Sequence, residues 1–129
     1  MDVLLDTHSY LWFMEGNNLL PEKARRTITD ARIVKFISMA SLWEIAIKTE
    51  INKLKLKIPF SDLEKEIQID GFEILPIKFV HLQELMQLEF HHKDPFDRLI
   101  IAQAISEKMT VITKDENFSK YNQLKLLWQ

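Results

Sequence analysis

Short apolar runs recur along the chain, separated by stretches with helical spacing, and this alternation constrains the fold more than any other feature. The runs are "DVLL" at 2–5, "IVKFIS" at 33–38, "FEILPI" at 72–77 and "TVITK" at 110–114, with "LKLLW" at 124–128 as a candidate fifth. Each has the length and the apolar or β-branched content of a buried strand. Between them, "SYLWFME" reads as a short helix, and "PEKARRTITDA" (21–31) as a second with Pro21 at its first helical position. "SLWEIAIKTEIN" (41–52), "FSDLEKEIQID" with Ser61 or Asp62 as cap, "VHLQELMQLEF" (80–90) and the apolar segment 95–108 complete the helical set. "KLKLKI" (53–58) alternates like a short edge strand. Strands alternating with helices predict an α/β fold, a mainly parallel sheet of four to five strands with helices on both faces. With two glycines, four prolines and no linker, repeat or low-complexity stretch, residues 1–129 read as one domain.

The same residues exclude several classes. No apolar run approaches the roughly 20 residues of a membrane span, and "MDVLLDTHSYLWF" lacks the basic region and cleavage site of a signal peptide. A cytoplasmic protein is the expectation. The absence of cysteine removes disulfides, thiol catalysis and Cys-based zinc sites. Gly16 and Gly71 are the only glycines, too few for a phosphate-cradling loop or a GxSxG elbow. The net charge of −2 means that a nucleic-acid partner needs a local basic patch.

In parallel α/β folds, ligands gather beyond the carboxyl ends of the strands, so the residues after each apolar run matter most. Asp6 directly follows "VLL" and Asp115 directly follows "TVITK". An aspartate at a strand end is ordinary capping chemistry, but two at the same sheet edge are less easily dismissed. Thr7 and Thr113 beside them are β-branched strand residues, caps, or hydroxyl partners that hold carboxylates. In "HHKDPFDRLIIAQA" (91–104), Asp94 precedes Pro95 and reads as a helix cap. Asp97 falls on the third helical position, favourable to the helix dipole, but at the head of the buried stripe Ile101, Ala104, Ile105. A buried charge needs a partner or a cation, which favours a functional Asp97 with Asp94 in support.

Glu44 reads differently. Ser41-x-x-Glu44 fits a capping box, and Glu44 with Lys48 forms a favourable i,i+4 pair, so Glu44 read alone is a surface residue. His8, His81, His91 and His92 show no zinc-ligand spacing and are read as non-ligands. Trp12, Phe13, Trp43 and Trp128 are read as core or interface residues.

"VLLDTHSYLWF", "SMASLWEIAIK", "HHKDPFDRLIIAQA" and "VITKDENF", in this order across nearly the whole chain, resemble the PIN domain, and within it the VapC-type toxins of bacterial toxin–antitoxin pairs. The resemblance implies a three-layer α/β/α sandwich and a metal-dependent endoribonuclease. It carries four acids onto Asp6, Glu44, Asp97 and Asp115 as the catalytic and metal-binding set, which reverses the surface reading of Glu44. Asp94 belongs to the Asp-Pro-Phe-Asp motif, with a water-mediated reach to the metal. Many relatives carry a further acid where this chain has Asn117, which can bond water or phosphate but adds no charge. A glycine is common where Asn52 ends the helix, and asparagine tolerates the left-handed conformation.

Converging carboxylates ask for a divalent cation, and oxygen ligands suit Mg²⁺ or Mn²⁺. Asp6, Asp97 and Asp115 are expected to hold the main ion, with Glu44 at a second or orienting water. The RNA-facing candidates are Lys53, Lys55 and Lys57, with Lys48, Arg98 and Lys114 near the acids. For the Lys53–Lys57 run, an edge strand protected by lysines is the competing reading. The resemblance also implies a homodimer and a cognate antitoxin. Two alternatives remain. A phosphatase of the haloacid dehalogenase type would need a second aspartate where Asp6-Thr7-His8 has histidine. A non-catalytic binding module on a degenerate PIN fold would be expected to have lost an acid.

Overall fold

The computed structural model describes residues 1–129. Strands β1 (Asp2–Leu5), β2 (Val34–Ser38), β3 (Glu73–Leu75), β4 (Thr110–Ile112) and β5 (Lys125–Leu127) form one sheet in the order β3-β2-β1-β4-β5. Every pairing is parallel. The helices are α1 (Thr7–Glu15), α2 (Glu22–Thr29), α3 (Met39–Glu50), α4 (Leu63–Ile69), α5 (Phe79–Gln87) and α6 (Pro95–Glu107), with 3₁₀ turns at Phe60–Asp62 and Glu116–Lys120. No helix is long and apolar enough to cross a membrane.

The sheet is covered on both faces, as a parallel sheet requires. Side chains alternate along β1: Val3 and Leu5 enter a core with Tyr10, Ile28, Ile45 and Ile67 from α1, α2, α3 and α4. Leu4 points the other way, into a core with Ile100, Ile101, Val111 and Phe118. This is the expected three-layer α/β/α architecture. The chain builds β1, β2 and β3 toward one edge, then returns to place β4 on the other side of β1. The β1/β4 boundary is therefore the topological switch point, where α/β folds open a crevice.

Several local expectations are corrected. Ser38, not Ser41, caps α3: its Oγ accepts the Ala40 N–H at 2.9 Å. The capping box at Ser41 and Glu44 therefore does not exist. Pro21 is the N-cap of α2 rather than its first residue, and Asp62 makes no side-chain cap at α4. Residues 53–58 form no strand. Asn52 has φ 59°, the left-handed conformation anticipated there. Beyond it, the Lys53 and Leu54 N–H groups both donate to the Lys48 carbonyl, at 2.8 and 3.1 Å. Those donors are spent on the helix end, not on a sheet edge. The alternation survives as packing: Leu54, Leu56 and Ile58 lie on the core while Lys53, Lys55 and Lys57 are exposed.

Candidate active site

Asp6 is the first residue past β1 and caps α1, accepting the Ser9 N–H at 2.9 Å through Oδ1. Its Oδ2 accepts the Thr113 hydroxyl at 2.6 Å. Thr113, just past β4, also accepts the Asp115 N–H at 3.0 Å. One hydroxyl thus ties the acids of two adjacent strand ends together. Asp6 is 6 % exposed, and burial raises its carboxyl above the usual range against the hydrogen bonds from Ser9 and Thr113.

Glu44 is buried, which overturns its reading as a surface residue. It lies on the inner face of α3, against α1. Thr7 donates to its Oε1 at 2.6 Å, and Lys48 to its Oε2 at 2.5 Å. The Thr7 hydroxyl also lies 2.9 Å from Ser41 Oγ. Thr7 and Thr113 thus each hold one carboxylate by a hydroxyl, one of the readings open from the sequence. The i,i+4 pair of Glu44 and Lys48 is present, but half inside the protein.

At α6, Asp94 caps the helix by accepting the Asp97 N–H at 2.9 Å. This fixes Asp97 at the helix mouth, with a side chain 21 % exposed. Its carboxyl is pushed up to about 8, first by burial, then by the charges of Asp94, Asp6, Glu44 and Asp115. Four other acids therefore act on Asp97, a convergence that calls for a cation.

His92 is the residue that sequence reasoning missed. Its Nε2 lies 2.9 Å from Asp115 Oδ2 and 3.0 Å from Asp97 Oδ2. Ligand-capable atoms of His92, Asp97 and Asp115 all fall within 4.8 Å of one another, close enough to surround one ion. The only sequence signal was its position, two residues before Asp94 in the same short motif. Hard carboxylate oxygens in this number fit Mg²⁺ or Mn²⁺.

Asp6, Asp97 and Asp115 line one cleft of about 470 Å³ together with His8, Ser9, Trp12, Lys114 and Glu116. Glu44, Lys48 and Lys53 line a second, of about 250 Å³, which shares His8 with the first. Lys48, Lys53 and Lys114 thus sit where a polyanion would meet the acids. Lys55 and Lys57 are exposed but line neither cleft. Arg98 is a correction. It is 7 % exposed, donates to the carbonyls of Glu89 and Leu85, and stacks over Phe90 at 3.9 Å. Its guanidinium is consumed in closing the end of α5 and is not presented to an RNA phosphate. Asn117 is turned outward, its Oδ1 accepting from Lys120 Nζ at 3.0 Å.

The family model described as PIN domain matches residues 3–124, and the chain belongs to that family. This displaces the haloacid dehalogenase alternative. The structure is similar to that of VapBC2 from Rickettsia felis bound to a promoter DNA fragment, with TM-score 0.72, 19 % identity and 100 % of both chains covered. VapBC-1 from nontypeable Haemophilus influenzae superimposes with TM-score 0.73 at 15 % identity, covering 98 % of this chain and 97 % of that one. A toxin–antitoxin complex from Klebsiella pneumoniae gives TM-score 0.65 at 16 % identity, covering 97 % and 95 %. A comparison with curated proteins by sequence finds no match.

Proposed function

We propose that this protein is a metal-dependent endoribonuclease acting as the toxin of a toxin–antitoxin pair. The observation that carries the proposal is Asp97, a carboxyl held near 8 by burial and four other acids in a cleft at the switch point of the sheet. Asp97 and Asp115 would hold a divalent cation, with Asp6 on the same cleft wall as a direct or water-mediated ligand. When bound, Mg²⁺ or Mn²⁺ supplies an activated water and neutralises charge on the scissile phosphate. Glu44, both of whose oxygens are already engaged, supports the cluster and orients water from the neighbouring cleft. Lys48, Lys53 and Lys114 draw the RNA backbone toward the acids, while Lys55 and Lys57 add charge to the approach.

A cognate antitoxin and a second copy of the chain are the proposed protein partners. Exposed apolar residues on α5 (Phe79, Met86) and α3 (Trp43, Ile47) support such partners. So does the likeness to toxin–antitoxin complexes.

The test is incubation of the purified protein with a structured RNA in Mg²⁺ or Mn²⁺, with and without chelator. Internal cleavage that chelator abolishes is expected. An RNA left intact under all conditions would support the non-catalytic module instead.

A further inference from the structure

His92 lies on the loop before α6 and is 9 % exposed. Its ring meets Phe118 edge-on at 5.8 Å, and its backbone N–H donates to the Tyr121 hydroxyl at 3.1 Å. That hydroxyl also accepts the His91 N–H at 3.2 Å and donates to the Glu89 carbonyl at 2.7 Å, so the loop is pinned to Tyr121. The imidazole is thus held from both its backbone and its ring.

Its two nitrogens face opposite chemistry. Nδ1 accepts the backbone N–H of Asp94 at 3.3 Å. A ring nitrogen that accepts carries no proton, so in the neutral ring the proton resides on Nε2. Nε2 faces only carboxylate oxygens, Asp115 Oδ2 at 2.9 Å and Asp97 Oδ2 at 3.0 Å. A histidine that ligates a metal through Nε2 donates its Nδ1–H to an acceptor. His92 Nδ1 meets a donor instead.

We propose that His92 is a positioning residue whose Nε2–H, hydrogen-bonded to Asp115 and in contact with Asp97, holds Asp115 toward a cation shared with Asp97 without ligating it. The proposal rests on the reading of this cleft as a divalent-metal site. Asp97 sits in the first turn of α6 and Asp115 follows β4, so no shared backbone element sets their separation. Once a cation displaces the Asp97 proton both groups are carboxylates, and a donor beside them offsets part of their repulsion. The hydrogen bond uses one lone pair of Asp115 Oδ2 and leaves the remaining ones, with those of Asp97, to the ion.

Three measurements test it, with Mn²⁺ as the probe. Nitrogen-detected NMR of the cation-free protein is expected to show the Nε2–H tautomer at His92; an Nδ1–H tautomer would overturn the proposal. Pulsed electron paramagnetic resonance of the Mn²⁺-loaded protein is expected to show no directly bound imidazole nitrogen, and a bound one would overturn it. Calorimetry is expected to show Mn²⁺ affinity falling roughly 10- to 100-fold in His92→Ala. His92→Gln, which restores an N–H donor, is expected to recover most of that loss. Wild-type affinity in folded His92→Ala protein, or no recovery in His92→Gln, would count against the proposal. If the wild-type protein itself bound no Mn²⁺, the metal-site reading would fall first.

Discussion

Thr113 and Asp6 are 107 residues apart in sequence, yet the Thr113 hydroxyl donates to Asp6 Oδ2 at 2.6 Å in the buried seam between β1 and β4. The Thr113 hydroxyl oxygen also accepts the Asp115 N–H. Thr113→Val keeps the shape of the side chain and removes both bonds, leaving a buried carboxylate oxygen and a backbone N–H without their partner. The expected cost is about 1–3 kcal/mol of folding stability, with metal affinity reduced roughly 10- to 100-fold. Chemical denaturation and Mn²⁺ calorimetry on the one variant check both numbers.

Asp94 has two separable effects, the cap on α6 and the charge beside Asp97. Asp94→Ala loses both and should destabilise the protein by about 0.5–2 kcal/mol. Asp94→Asn keeps a capping oxygen and removes the charge. It should leave stability nearly unchanged while letting Asp97 ionise at lower pH, because Asp94 is the largest charge contribution holding the Asp97 carboxyl up. NMR titration of the Asp97 carboxyl in the two variants distinguishes the effects.

The raised Asp97 carboxyl fixes the sign of a pH dependence. In the unfolded chain this group ionises near 4, whereas in the folded protein it holds its proton to about 8. Its contribution to stability is fully present below pH 4 and is lost as the pH rises toward 8. Asp6, raised in the same direction, adds to the trend. Melting temperature in chelator should therefore fall across this window, with a shallower fall in Asp97→Asn. A divalent ion competes with that proton, so its apparent affinity should rise by up to tenfold per pH unit below 8. At 100 times its Kd the ion should stabilise the protein by about 2.7 kcal/mol.

The cations near the site divide by where they sit. Lys48, Lys53 and Lys114 line the two clefts, while Arg98 is buried against Phe90. Lys53→Ala and Lys114→Ala should weaken RNA binding and lower the salt slope by about one each. Arg98→Ala should instead cost about 1–3 kcal/mol of stability through its lost carbonyl bonds and stacking. Binding isotherms at several salt concentrations, set beside melting curves, separate the two outcomes.

The sheet was legible in the sequence because a doubly covered parallel strand must be apolar on both sides, and "VLL" and "TVI" are. The acids that end those strands were legible for the same reason. Asp94 and Asp97 were legible because Pro95 announces a helix start. Glu44 was not: its i,i+4 pairing with Lys48 looks the same on a surface as it does half-buried, and only the packing of α1 against α3 turns it inward. His92 was hidden because its role depends on Asp115, 23 residues further on. "KLKLKI" misled because alternation records which residues face the core, and that holds for a packed loop as well as for a strand. Arg98 misled because nearness in sequence to Asp97 carries no direction, and one step along a helix points to another face.

The central claim is that the acids converging on Asp97 hold a divalent cation that cuts RNA. Its most direct test is RNA cleavage by purified Asp97→Asn protein in saturating Mn²⁺, with folding verified by circular dichroism. Cleavage reduced to the level of a chelated wild-type control is the predicted result. Cleavage at the wild-type rate would contradict the account.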